Sequence, residues 1–139
     1  MIQRLQSLWL LLAAAFAFLT YRFPFYSGDI LDRNNLPHST KFVASFDFVT
    51  LILTALLGVG CIIIIFLYKK RKLQLRLTIT ALMISILNLV VYFSKMSKFV
   101  RGELSFAAIL SFAIPFFLFL AARGIWKDEK LVKSLDRLR

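Results

Sequence analysis

A single cysteine in 139 residues excludes a disulfide framework and any multi-cysteine zinc site. Five glycines and three prolines, set against fifteen phenylalanines, exclude a collagen-like or disordered chain. There is one histidine, His38, so Glu103 and the serines find no nucleophile–base pairing. A glycine-rich phosphate loop and paired catalytic carboxylates are also missing. Charge is scarce: 18% of residues, where soluble domains carry about 25%. What fills the space is apolar, 60% of the chain with a mean hydropathy of +0.78. The length suits one domain, and its solvent is lipid.

Four hydrophobic windows follow one another. The cleanest runs from Phe48 to Tyr68 without a charge, about 31 Å as a helix, against a bilayer core of about 30 Å. Leu104 to Ala122 is also uncharged. Leu77 to Phe93 is shorter and holds Thr78, Thr80, Ser85 and Asn88. Leu5 to Tyr21 is the weakest. Arg4 and Ala15-Phe16-Ala17 give it some likeness to a secretory signal peptide, but it is read here as a span. None of the four alternates as a strand would, so helices are expected. The predicted fold class is therefore an all-α membrane protein. It is a single bundle of four transmembrane helices at about 5–21, 48–68, 77–93 and 104–122, with residues 123–139 as a cytoplasmic amphipathic tail.

Orientation is read from lysine and arginine. Arg4, the cluster Lys69, Lys70, Arg71, Lys72 and Arg76, and the terminal set Arg123, Lys127, Lys130, Lys133, Arg137 and Arg139 place twelve cations on one side. The other side holds six. The richer side is expected to be cytoplasmic, with both termini there. The net charge of +11 is thus mostly one face of a membrane protein. The loop from Arg22 to about Lys41 is external, with Ser27-Gly28, Asn34-Asn35 and Pro37 as turn signals.

Few residues invite chemistry. Asp47 opens the second span and could belong to a proton relay, but its place at the end of the run favours an interfacial ion pair with Arg22 or Arg101. His38, Asp29 and Asp32 share the outer loop without metal-ligand spacing, so no metal, cofactor or small-molecule substrate is expected. Asn88 is expected to hydrogen-bond across helices, Gly58 and Gly60 to permit close helix contact, and Pro115 to bend the fourth span. In the tail, Leu131, Leu135 and Leu138 make an i, i+4, i+7 stripe. The fourth span therefore continues as an amphipathic helix, with a break expected near Gly124.

Met1-Ile2-Gln3-Arg4 before Ser7, Tyr68-Lys69-Lys70-Arg71-Lys72-Leu73-Gln74, and the ending Leu120-Ala121-Ala122-Arg123-Gly124-Ile125 through Asp136-Arg137-Leu138-Arg139 carry a resemblance. They are similar to an uncharacterised family of small membrane proteins typical of Bacteroidota, domain of unknown function 4293. The resemblance implies four inner-membrane spans with both termini inside. It supplies no activity.

The function expected from these residues is non-enzymatic: a small subunit or adaptor of a larger inner-membrane complex. It would meet anionic lipids and a cytoplasmic protein or ribonucleoprotein through its basic turn and tail. The alternative is a small oligomeric transporter or channel with Asp47 and Asn88 on its path.

Overall fold

Uncharged apolar runs become helices because lipid offers no partner to a bare N–H or C=O. The computed structural model describes residues 2–31 and 36–136, with side chains over 5–30, 36–132 and at 134. In chain order the elements are α1 (Ile2–Leu19), β1 (Tyr26–Leu31), β2 (Pro37–Phe42), α2 (Phe48–Phe66), α3 (Arg71–Met96), β3 (Arg101–Leu104) and α4 (Ala108–Asp136). Each helix packs on two others: α1 on α2 and α4, and α3 on the same pair. The four therefore form a ring around a common core, each antiparallel to its chain neighbours.

Among the described residues three helices are long and apolar enough to cross a membrane: Phe48–Phe66, Arg71–Met96 and Ala108–Val132. α1 is an 18-residue helix, Ile2–Leu19, apolar over its described side chains from Leu5 to Leu19. About a third or less of each long window is buried within the protein. The outward faces carry Leu56, Val59, Ile63, Met83, Val90, Phe116 and Phe119, all exposed. The inward faces mix Leu10, Ala13, Leu57, Leu118 and Ala121 with buried Thr50, Thr54, Thr78, Ser85, Asn88 and Ser111. A greasy exterior around a partly polar interior is the pattern lipid selects.

The sequence reading missed a sheet. β1 pairs antiparallel with β2 on one side and β3 on the other, in the order β2-β1-β3. The Arg22–Lys41 connection, expected as a turn-rich loop, therefore holds a hairpin, and the Ser94–Glu103 link holds most of the third strand. Gly28 faces Gly102 in the register, and a Cβ on Gly28 would lie 2.8 Å from the Gly102 Cα, so the strands meet where only glycines fit. Beneath the sheet Phe25, Phe42 and Tyr92 are buried together, with the Phe25 and Tyr92 rings stacked at 4.6 Å. The fold is thus mostly helical with a small sheet on one end, not all-α.

Helix limits also differ. α3 begins at Arg71, not near 77, so Arg71, Lys72 and Arg76 lie in its first two turns and only residues 67–70 connect it to α2. α4 begins at Ala108, because Leu104 closes β3. It then runs unbroken through Gly124 and Pro115. Gly124 is a contact and not a hinge: a Cβ there would lie 2.8 Å from Gln6 Cγ on α1.

Candidate functional site

Polar groups gather in three places: at the sheet end, mid-bundle, and at the end where α2 turns into α3. At the sheet end Asp47 caps α2, its Oδ2 accepting from the Val49 N–H at 3.3 Å. Its Oδ1 accepts from Lys95 Nζ at 2.8 Å. The partner is Lys95, not Arg22 or Arg101, because α3 reaches Met96 and carries that lysine to the start of α2. The Lys95 hydrogen bond holds the Asp47 carboxyl below its usual range against partial desolvation, helped by the charge of Lys95, the Val49 amide and, farther off, Lys98. A carboxylate with a lowered pKa stabilises the fold above the ordinary carboxylate range and loses that contribution as pH falls through the lowered value. Asp47→Asn is therefore expected to flatten the acid limb of a thermal-stability profile below about pH 5. An unchanged acid limb would contradict this.

The sheet register separates Asp29 from His38. Asp29 pairs with Ser39 and His38 with Ile30, so the two side chains alternate to opposite faces. Asp32 lies outside the described residues. Among the described residues no group of three or more His, Cys, Asp or Glu could hold a metal ion.

Mid-bundle, Asn88 Nδ2 donates to Thr54 Oγ1 at 3.1 Å, from α3 to α2. Ser85 and Thr78 hydroxyls return to carbonyls of their own helix. Asn88 Oδ1 has no partner among the described residues, and the buried Tyr92 hydroxyl lies toward Thr54 and Thr20 without a well-formed hydrogen bond. The space between them and Ser111 has no room for a water molecule. These groups pack helix against helix. Gly58 meets the Phe18 ring, where a Cβ would come within 2.9 Å, so it does bring α1 and α2 together. Gly60 does not serve the contact expected of it, since nothing lies within 4 Å of where its Cβ would be.

The third place is the basic end. Lys69, Lys70, Arg71, Lys72 and Leu73 face Glu129 and Val132 of α4 across a cleft of about 720 Å³. Turn and tail, far apart in sequence, thus line one space. Two contacts hold the tail there. Ile125 is buried, and Gln6 Nε2 donates to Asp128 Oδ2 at 2.7 Å between two buried side chains. Across the way Gln74 Nε2 donates to the Ile64 carbonyl at 3.2 Å and ties the start of α3 to the end of α2.

Not every predicted residue joins the cleft. Arg76 and Arg123 are exposed away from it. Lys127, Lys130, Leu131 and Ser134 line a separate shallow concavity on the outer face of the tail. Lys133 and Leu135 belong to α4 with side chains outside the described set, and Arg137, Leu138 and Arg139 lie outside the described residues. Gln6, Asp128 and Val132 were not singled out from sequence. A signal existed, for the buried stripe Leu118, Ala121, Ile125 extends by helical spacing to Asp128.

Comparison with known proteins adds one match. A family model described as Domain of unknown function (DUF4293) covers residues 2–138. No curated protein and no solved structure matches the chain.

Proposed function

Because the chain belongs to the DUF4293 family, for which no activity is given, we propose a function from the geometry of its basic end: a small non-enzymatic integral subunit or adaptor of a bacterial inner-membrane complex. All four helices cross, both termini are cytoplasmic, and the basic end receives a cytoplasmic partner. The twelve-to-six division of cations supports that orientation. α1, 18 residues and about 27 Å long, packs along α2 and α4, and modest bilayer thinning accommodates it.

One observation carries the docking role. α4 has 29 residues, about 43 Å, which is about 13 Å more than a hydrocarbon core requires. A projection serving only as an anchor has no need to be held in place. This one is pinned to α1 by the Gln6–Asp128 hydrogen bond while Lys127, Lys130 and Leu131 face outward. A cationic surface with an exposed leucine on a rigid helix suits an acidic protein partner. The transporter reading finds no favourable observation, since the interior around Asn88 is filled and Asp47 is tied to Lys95.

Truncation after Lys130 tests the docking role without removing Asp128. The shortened chain is expected to insert and keep its helical content, and the variant Lys127→Glu/Lys130→Glu likewise. Both should lose the co-purifying partner. If both retain every co-purifying component at the wild-type ratio, the tail is only an anchor.

A further inference from the structure

The cleft between the α2–α3 turn and α4 is distinct from the outward face assigned to the partner, and its surroundings identify its own occupant. Four cations from consecutive residues, Lys69 to Lys72, face one carboxylate, Glu129, so the walls keep an excess of positive charge. The cleft also lies where hydrocarbon gives way to headgroups. Phe66 ends α2 and is 74% exposed, and Tyr68 and Trp126, the latter about one turn before Glu129, are exposed as interfacial aromatics are.

Beside it runs a second concavity, a groove of about 250 Å³ between α2 and α3, lined by Leu56, Gly60, Ile63, Leu77, Ala81 and Ile84. Its floor is open at Gly60. The hydroxyl of Thr80, also on its wall, donates to the Leu77 carbonyl at 2.8 Å and leaves the groove apolar in character. Leu73 on the cleft and Leu77 in the groove stand one turn apart on α3, so the charged space and the greasy one border the same helix face.

We propose that cleft and groove together hold one anionic phospholipid, its phosphate headgroup among Lys69, Lys70 and Arg71 and an acyl chain against Gly60. An acidic peptide or a free phosphate could answer the charge, but neither accounts for an apolar groove one helical turn away. The site rests on the membrane placement proposed above and not on partner docking. It is measured on the purified chain alone, so its failure and the failure of docking are separate results.

The test is native mass spectrometry of the full chain in mild detergent, offered equal amounts of phosphatidylglycerol and phosphatidylethanolamine with the same acyl chains. Wild type is expected to retain phosphatidylglycerol with a preference of about tenfold or more. Lys69→Gln/Lys70→Gln/Arg71→Gln should bring the two lipids to parity. Gly60→Leu, which fills open space, should reduce retention of both lipids by about fivefold or more with an unchanged circular dichroism spectrum. Inorganic phosphate should compete poorly. Equal retention of the two lipids by wild type, or undiminished preference in the triple variant, would overturn the headgroup site. Retention unaffected by Gly60→Leu, or displacement of the lipid by millimolar phosphate, would reduce it to a simple anion site and overturn the proposal as stated.

Discussion

Phe42→Ala is expected to cost about 3–5 kcal/mol of stability, the range for deleting a buried aromatic ring. Phe42 ends β2 with no exposed surface, and its ring lies 5.3 Å from both Phe46 and Tyr92. Its carbonyl accepts from the Phe25 N–H at 2.7 Å. The side chain therefore joins the sheet to α3. The stacked Phe25–Tyr92 pair would lose its neighbour at the same time. Phe42→Leu keeps most of the volume and should cost clearly less, about 1.5 kcal/mol or under. Thermal unfolding of the detergent-solubilised protein reads both. Equal, small losses would mean that the sheet does not depend on this ring.

Gln6→Leu is expected to free the tail. The substitution leaves the Asp128 carboxylate buried against α1 without its amide donor, which costs about 1–3 kcal/mol. Since 1.4 kcal/mol is tenfold in an equilibrium, trypsin cleavage at Lys127 and Lys130 should accelerate by about fivefold to a hundredfold. The double variant Gln6→Leu/Asp128→Leu should recover most of the protection, because two apolar groups of suitable shape leave no orphaned charge. Cleavage at the wild-type rate in the single variant would show that Ile125 and its neighbours alone hold the tail.

Hydropathy reveals where an apolar helix lies: α2 occupies Phe48–Phe66 where 48–68 was expected. It does not reveal where a helix ends. α3 starts six residues before its apolar window because Arg71, Lys72 and Arg76 are good helix formers that only look like a loop when charge is the guide. The strands hid for another reason. Tyr-Ser-Gly-Asp-Ile-Leu and Pro-His-Ser-Thr-Lys-Phe show neither strict alternation nor β-branched enrichment, and all of β3 is exposed. Their pairing is set by what lies beneath, the Phe25–Phe42–Tyr92 cluster, which joins three distant segments. At the basic end the cations were legible as a group. The cleft was not, since it depends on α4 continuing through Gly124 and on Gln6 meeting Asp128, 122 residues apart. Asp47 was rightly placed at the end of a span and wrongly paired, because the reach of α3 to Lys95 could not be seen.

The central claim is that the basic end faces the cytoplasm and the sheet faces outward. Ser39 on β2 and Ser134 on α4 are exposed at opposite ends of the bundle, and the native cysteine, Cys61, is buried. In a Cys61→Ala background, Ser39→Cys should react with a membrane-impermeant maleimide on intact spheroplasts, and Ser134→Cys only after permeabilisation. Labelling of Ser134→Cys on intact spheroplasts would place the basic end outside and contradict the account.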